Sequence, residues 1–491
     1  MRVMFNEDWI HFFWTRYENN IDVTEKTLKF FIYQYKDTAI TDFAMNVNGT
    51  VSSFPSKVLE SFTEKYYHEE ENGYKVDYKN SFAKTAHDIF TVKKLDMYKI
   101  WIDALHEIGK KAWISFRIND CHFNFEKFNI RKNSNIEKHR ELWRQPYREP
   151  DYFGKCLNYA DERVRTFAYS YLKETLERYD PDGIELDFMR ELLLFVPGRE
   201  NRNIMTEFMK NVKSIITEAE DRYGHKIPIS IIAAPEPKTN YEAGLDIAAW
   251  AKEGLIDSVC AIQRWETVTT NIPIEFWKSI LGNIPFAAGQ QILVRSSHES
   301  ASSVMSNVDM AFGQAASAIS RGADFIYLYN YFDLTESGLN SVLHDTAVRP
   351  VPHKFLESAG DLSKLKKYPR RYPLTYDDCP NYWERVNCRL PIIFDGSLFE
   401  TIRISAGDLS GDFVLLQLGC HEKLNADEFE IFVNGKPVKA AKAIPDYNIY
   451  KKNWYAFLIE SESFGNHLTA EIRIKKACKL EYAEIYAKSA E

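Results

Sequence analysis

Residues 182–190 read Asp-Gly-Ile-Glu-Leu-Asp-Phe-Met-Arg, and this stretch decides the fold class. Side chains alternate between the two faces of a β-strand, so Glu185 and Asp187 share one face with Met189, while the residues between them are apolar. In a barrel of parallel strands the apolar face packs against helices and the other face points into the barrel. We therefore expect two carboxylates inside a barrel, about 6 to 7 Å apart along the strand.

The chain on either side of this strand, up to about residue 335, alternates β-rich runs with amphipathic helical runs, which is typical of parallel α/β folds. Asp161 is the predicted N-cap of a helix whose apolar stripe includes Val164 and Phe167, and Gly109 and Gly224 are predicted to end two others. Strands are predicted at 2–6 or 10–14, 39–47, 111–118, 183–189, 227–234, 256–263, 285–292 and 324–331. Eight strands predict a closed (β/α)8 TIM barrel.

The alternation of helix and strand ends near residue 345, and five prolines between 350 and 380 mark a connecting region. Six β-rich runs then follow, from FETIRIS (399–405) to LEYAEIYA (480–487), with Asn434-Gly435 as a type I′ hairpin turn. The predicted domains are a (β/α)8 barrel at 1–350, a linker at 351–385 and a small accessory β-sandwich at 386–491.

The overall charge and hydropathy exclude two classes of partner. The net charge of -8 argues against nucleic acid, because a nucleic-acid-binding protein normally presents a basic surface. No stretch approaches 18 uninterrupted apolar residues, so no membrane association is expected. The first residues lack the apolar core of a signal peptide, which predicts a cytoplasmic protein, or a secreted or periplasmic one if a signal has been removed.

The seven cysteines form no CxxC pair and no cysteine/histidine pair at zinc-binding spacing. The sequence therefore predicts free thiols and no metal. It also lacks the GxGxxG, GxSxG, P-loop and HExxH motifs, so no cofactor is expected.

Catalytic and binding residues of such barrels lie at the carboxyl ends of the strands. At the end of the third strand Arg117 and Asn119 share the inward face, and Asp120 and His122 follow in the loop. We expect these four residues either to contact ligand hydroxyls and orient Asp187, or to form a polar network that closes the barrel.

The two acids of the fourth strand, Glu185 and Asp187, are either a catalytic pair or a buried salt-bridge layer. Close like charges shift each other's pKa, so Arg117 or Arg190 is expected to hold one of them ionised. Weaker candidates at other strand ends are Asn46, Asn48, Glu236, Gln263, Trp265, Glu266, Gln290, Gln291 and Asn330, and near the N-terminus His11, Trp9 and Trp14. Each of these alone is often a loop-capping or core residue.

The fourth strand resembles the signature of a group of glycosyl-hydrolase-like TIM barrels described as family-10-like, which are distinct from true xylanases. Segments that are similar to motifs of the same group are 115–122, 157–165, 244–250 and 322–330. The likeness covers most of residues 1–340, and it implies carbohydrate hydrolysis.

Asp187 also looks like the strand-four aspartate nucleophile of retaining α-glycosidase barrels, whose acid/base comes from strand six. Glu266 lies near that position, and Glu236 is the alternative. The strand is similar to the family 18 chitinase motif as well, but Met189 stands at its last acid position, which argues against substrate-assisted chemistry. In a different clan the seventh strand supplies a glutamate, and this chain has Gln291 there.

We expect hydrolysis of a glycosidic bond by paired carboxylates, with Asp187 as nucleophile or base. The expected partner is a carbohydrate; the glycan, its linkage and the oligomeric state stay open. A sugar-binding protein on an inactive barrel is the first alternative, suggested by Met189 and Gln291. A metal-assisted hydrolase or lyase is the second, and it would draw on His11, His122 and Asp120.

Overall fold

The structure is a computed structural model of the chain. The residues that it describes are 1–18, 20–61, 63, 82–121, 133–147, 152–263, 268–294, 304–330, 353–375, 390–445 and 453–490.

Eight parallel strands close into a barrel, in which each strand pairs with the next along the chain and the last pairs with the first. They are β1 (Arg2–Glu7), β2 (Asp42–Asn46), β3 (Lys111–Arg117), β4 (Gly183–Asp187), β5 (Ile229–Ala233), β6 (Ser258–Ala261), β7 (Phe286–Gln290) and β8 (Phe325–Leu328). The predicted barrel is confirmed. Of the two options for the first strand, 2–6 is right and 10–14 is wrong, because the latter lies in a helix.

Helices surround the barrel and extend beyond it. They are α1 (Trp9–Glu18), α2 (Glu25–Tyr33), α3 (Phe82–His87), α4 (Met97–Glu107), α5 (Ser134–Lys138), α6 (Glu162–Arg178), α7 (Arg202–Tyr223), α8 (Pro237–Glu242), α9 (Ile247–Lys252), α10 (Ile274–Leu281), α11 (Val308–Ser320), α12 (His353–Leu356) and α13 (Leu362–Leu365). Short 3-10 or π turns lie at Asp88–Val92, Arg140–Leu142, Tyr152–Lys155, Ala426–Glu428 and Ser461–Ser463, and Leu293–Val294 pairs with Val304–Met305.

The helix boundaries follow the local chemistry of the sequence. Asp161 caps α6, where its carboxylate accepts the backbone N–H of Arg163 at 2.9 Å. Gly109 and Gly224 have positive φ, as predicted for the residues that end helices. The predicted stripe of α6 is wrong at Phe167, whose surface is 42% exposed, because that position lies at the edge of the buried face.

The register of β3 against β4 determines which side chains meet inside the barrel. Ser115 lies beside Glu185, and Arg117 lies beside Asp187. Gly183 allows this close packing, because a Cβ atom there would lie 2.5 Å from ring atoms of Trp113. The two acids are therefore fixed at two successive levels of the barrel interior.

Two antiparallel sheets follow the barrel and enclose a hydrophobic core of their own. Their strands are β9 (Arg370–Leu374), β10 (Ile392–Phe394), β11 (Glu400–Ser405), β12 (Asp412–Cys420), β13 (Phe429–Val433), β14 (Lys436–Pro437), β15 (Lys439–Ala441), β16 (Asn453–Ile459), β17 (His467–Ile474) and β18 (Cys478–Ser489). One sheet has the order β9-β18-β12-β16-β15, and its sixth strand, β10, also pairs with β18. The other sheet has the order β11-β17-β13-β14. Asn434 and Gly435 both have positive φ between β13 and β14, which agrees with the predicted type I′ turn.

The barrel and the sandwich touch through α11 and β9. A Cβ atom on Gly313 would lie 2.1 Å from the carbonyl oxygen of Arg371, so the helix and the strand pack backbone to backbone there. Ser317 donates a hydrogen bond to the carbonyl of Ser405, and Asn271 donates one to the carbonyl of Arg403. Strand β9 thus lies within the stretch that the sequence predicts as a linker.

None of the described helices combines the length and the apolar composition that a bilayer crossing requires.

Candidate functional site

Glu185 lies in the middle of the barrel and is fully buried. Its Oε1 accepts a hydrogen bond from Asn6 Nδ2 at 3.0 Å, and its Oε2 accepts one from the hydroxyl of Tyr327 at 2.6 Å. Burial raises the pKa of Glu185 to about 7, and the charge of Asp187 acts in the same direction. Glu185 therefore holds its proton to a higher pH than an exposed glutamate does.

Asp187 lies one level higher, at the carboxyl end of β4, and it is also buried. Its Oδ1 accepts the backbone N–H groups of Met189 at 2.9 Å and Arg190 at 2.8 Å. Its Oδ2 accepts the hydroxyl of Tyr329 at 2.8 Å. Burial raises the pKa of Asp187, although the charge of Arg117 opposes this shift.

Each of the two acids thus accepts a hydrogen bond from one tyrosine. Tyr327 of β8 bonds Glu185, and Tyr329, which directly follows β8, bonds Asp187 one level higher. Near this strand the sequence indicated only Asn330, two residues past its end, as a candidate. The sequence contained a pattern that could have indicated the two tyrosines. Tyr327 and Tyr329 are two residues apart, as Glu185 and Asp187 are, so they too share one face of a strand.

Arg117 forms an ion pair that the sequence analysis did not identify. Its Nη2 lies 2.5 Å from Oδ2 of Asp8, which directly follows β1, and its Nη1 lies 3.4 Å from Oδ2 of Asp120. Burial raises the pKa of Asp8, but the guanidinium of Arg117, the backbone N–H of Ile10 and the charge of Arg190 together lower it below its ordinary value. Among contacts between described residues, no guanidinium donates a hydrogen bond to Glu185 or Asp187.

Asp120 connects Arg117 to a second cation. Its Oδ2 lies 4.0 Å from Nε of Arg190, the residue that also donates its backbone N–H to Asp187. Asp8, Arg117, Asp120 and Arg190 therefore form a row of alternating charges along the upper edge of β1, β3 and β4. Each of these four residues is buried or nearly so.

Several predicted site residues hold the backbone of the barrel rim. Asn119 Nδ2 donates to the carbonyls of Leu157 and Leu193, and its Oδ1 accepts the N–H of Leu157. Asn46 Nδ2 donates to the carbonyl of Ser115 at 3.2 Å. Asn48, two residues after the end of β2, exchanges two hydrogen bonds with the backbone of Arg117. Ligand binding by Asn119 and Asn46 stays a prediction.

The remaining candidates are distributed around the rim. His11 on α1 lies 3.0 Å from Oε1 of Glu7, and Gln291 donates to the carbonyl of Gln263 at 2.8 Å. Asn330 follows β8 with a positive φ of 47°. Three further candidates lie outside the described residues: His122, Trp265 and Glu266.

Glu236 lies at the wall of a cavity of about 580 Å³ between the barrel and the sandwich. Gln263 and Phe276 line the barrel side of this cavity, and Arg403 and His467 line the sandwich side. The cavity places polar side chains of both parts of the molecule next to the ends of β5 and β6.

No protein-family model matches the chain, and a search of curated protein sequences also gives no match. Solved structures with a similar fold include an alpha-L-fucosidase isoenzyme from Paenibacillus thiaminolyticus, with 13% identity, a TM-score of 0.41, and coverage of 74% of this chain and 48% of that one. An alpha-galactosidase from Geobacillus stearothermophilus has 10% identity and a TM-score of 0.40, with 97% and 55% covered. The alpha-fucosidase of Thermotoga maritima has 11% identity and a TM-score of 0.36, with 96% and 95% covered.

These neighbours are glycosidases by name, and their likeness to this chain is one of fold. The chain spans about half the length of the first two. The resemblance to the family-10-like group is not confirmed by these comparisons.

Proposed function

We propose that the chain is a glycoside hydrolase whose reaction centre is Asp187. The observation that carries this proposal is the buried pair of acids on β4, which is bonded by neutral donors rather than by cations and has Asp187 at the carboxyl end of the strand. Buried carboxylates whose pKa is raised are typical of active sites, and in barrels of this kind active sites lie at the carboxyl ends of the strands.

Asp187 has the geometry of a nucleophile. Its Oδ1 accepts two backbone N–H groups, which fix the orientation of the carboxylate. Its Oδ2 accepts one described hydrogen bond, from Tyr329, and a carboxylate oxygen can accept two. The second lone pair of Oδ2 is therefore the one that we assign to the anomeric carbon of the sugar.

The reaction proceeds by displacement at that carbon. A bond forms from Asp187 to the anomeric carbon while the glycosidic C–O bond breaks, and a second acid gives its proton to the leaving oxygen. Glu266 is our candidate for this acid, with Glu236 as the alternative. A water molecule then attacks the anomeric carbon of the glycosyl ester while the second acid, now a carboxylate, takes a proton from it, and the bond to Asp187 breaks to release the sugar and the free carboxylate.

Glu185 and the charged row play supporting roles in this proposal. A protonated Glu185 below Asp187 removes the repulsion that two ionised acids would have. Asp8, held ionised by Arg117, is an acceptor for sugar hydroxyl groups at the barrel mouth.

The proposal is tested with a panel of nitrophenyl glycosides and natural oligosaccharides, each assayed with the full chain. Hydrolysis of one class of glycoside is expected, and Asp187→Gly should be inactive until azide is added. Azide can enter the space of the missing carboxylate and attack the anomeric carbon, giving a glycosyl azide of inverted configuration. Appearance of this product identifies Asp187 as the nucleophile.

Asp182→Asn is the matched control, because Asp182 lies at the opposite end of the same strand and bonds the N–H of Ala112. This variant should keep its activity per folded molecule. Saturable binding of a sugar without any hydrolysis would overturn the proposal in favour of a sugar-binding barrel.

A further inference from the structure

Two cysteines and a glutamate converge next to the row of charges, although they are far apart in the sequence. Cys121, Cys156 and Glu191 are all buried, and their ligand atoms lie within 4.8 Å of one another. Both cysteines are free thiols rather than partners in a disulfide. The set combines two sulfur ligands with one carboxylate oxygen.

The three residues are held in place by backbone contacts that do not involve their own side chains. Asn119, two residues before Cys121, bonds both backbone groups of Leu157, which follows Cys156. The same amide bonds the carbonyl of Leu193, two residues after Glu191. One asparagine thus fixes the three segments that carry the three side chains.

Further contacts on each segment make the arrangement rigid. The carbonyl of Cys156 accepts the N–H of Arg144 at 2.7 Å. Tyr159 donates its N–H to the carbonyl of Leu194 at 2.8 Å and its hydroxyl to the carbonyl of Ile118. A site whose ligands are prearranged in this way loses little conformational entropy when an ion binds.

We propose that Cys121, Cys156 and Glu191 bind one zinc ion. Zinc takes thiolate and carboxylate ligands in a tetrahedron with Zn–S distances of about 2.3 Å, for which sulfur atoms less than 4.8 Å apart are suitably spaced. The three protein ligands leave one position of the tetrahedron for a water molecule. Calcium and magnesium are disfavoured, because both prefer oxygen ligands.

The ion would clamp the two loops that carry the charged row. Cys121 directly follows Asp120, and Glu191 directly follows Arg190, so zinc would join the segments that follow β3 and β4. In that position it would fix Asp120 and Arg190 relative to Arg117 and Asp187. This inference goes beyond the proposed hydrolase function and does not depend on it.

The spacing of these residues explains why the sequence did not indicate a metal. Zinc ligands are recognised in sequences by short spacings such as CxxC, and here each ligand comes from a different segment. Only the folding of the loops after β3 and β4 brings them together.

The test measures zinc in the full-length protein, purified without chelators and dialysed. We expect one equivalent per chain by mass spectrometry of the metal. Cobalt added to the metal-free protein should give the near-ultraviolet charge-transfer absorption of a cobalt–thiolate bond. This absorption reports thiolate ligation directly, so it does not depend on whether any variant folds.

Variants then assign the ligands. Cys121→Ser and Cys156→Ser should each weaken zinc binding at least about tenfold and reduce the cobalt–thiolate band at saturating cobalt by about half, and Glu191→Gln should weaken binding while keeping that band. Cys420→Ser is the control, since Cys420 is a buried thiol of the sandwich, and it should keep the full equivalent. Absence of zinc uptake, an unchanged cobalt spectrum in Cys121→Ser, or a Cys121–Cys156 disulfide in the native protein would overturn the proposal.

Discussion

The barrel and the sandwich each bury acidic side chains, but they stabilise them differently. In the sandwich Glu484 is paired with the guanidinium of Arg371, and its two oxygens also accept hydrogen bonds from Gln417 and Tyr482 at 2.7 Å each. In the barrel the acids of β4 are bonded by an amide, two tyrosine hydroxyls and backbone N–H groups. A bonded cation keeps a buried acid ionised, whereas acids bonded by neutral groups keep the raised pKa that burial causes.

The strongest test of this contrast is Asp187→Asn. The substitution keeps the volume and an oxygen for the backbone N–H groups, but it removes the negative charge. We expect kcat/KM to fall at least about 10³-fold, as loss of a nucleophile should cause, with little change in the free energy of unfolding. Turnover like that of the wild type would refute the role of Asp187.

Arg371→Met makes the complementary change in the sandwich. Because it leaves Glu484 buried without its cation, the free energy of unfolding should fall by about 3 to 5 kcal/mol, measured by urea denaturation. Activity per folded molecule should be unchanged. Arg473→Met removes a partly exposed ion pair with Glu430 in the same domain, and this control should cost less than about 1 kcal/mol.

If Asp187→Asn and Arg371→Met lost activity to the same extent while both remained folded, the distinction between a structural acid in the sandwich and catalytic acids in the barrel would be wrong.

The sequence predicts the barrel well because the information is local. The alternation on β4 and the eight β-rich runs required only the periodicity of strands and helices, and each barrel strand overlaps a predicted run, with 2–6 rather than 10–14 for the first. The inward direction of Glu185 and Asp187 followed from the same alternation.

The contacts between distant strands could not be predicted in this way. Asp8 meets Arg117 only because β1 and β3 lie near each other in the closed barrel, and the pairing of Cys121 with Cys156 depends on loop packing. Strand β9 (Arg370–Leu374) was predicted as linker because it lies among the prolines of the connecting region. One of these, Arg370, is buried against Asp412, 2.5 Å away on another strand.

Arg117→Met tests how the positive charge at position 117 affects the acids of the barrel site. Arg117 lowers the pKa of Asp8, with which it forms an ion pair. Its charge also opposes the rise in the pKa of Asp187, to which it donates no hydrogen bond. Removing it should raise both pKa values, so the acidic limb of the pH–rate profile should move upward by roughly one to three units.

Arg163→Met, which removes an exposed arginine of α6, should leave that limb in place. A uniform loss of activity across pH in Arg117→Met would instead identify Arg117 as a ligand for the substrate.

The smallest expected effect concerns Glu185, whose pKa of about 7 in the folded protein lies above its ordinary value of 4.5. Between these two values the unfolded chain has already lost the proton that the folded chain retains, so the free energy of unfolding should decrease as pH rises. The slope is at most about 1.4 kcal/mol per pH unit. Below pH 4.5 and above pH 7 Glu185 should contribute no slope, since both states then have the same charge at this residue.

Glu185→Gln should remove this part of the pH dependence. Its amide oxygen can still accept the N–H of Asn6, and its NH2 group can donate to Tyr327 once that hydroxyl has rotated. Urea denaturation at several pH values should therefore give a stability difference, variant minus wild type, that grows between about pH 4.5 and pH 7. Glu162→Gln, which removes an exposed carboxylate of α6, controls for the change in net charge. A difference that stays constant across this range would mean that Glu185 is ionised throughout, and the two acids of β4 would then have to share the barrel as like charges.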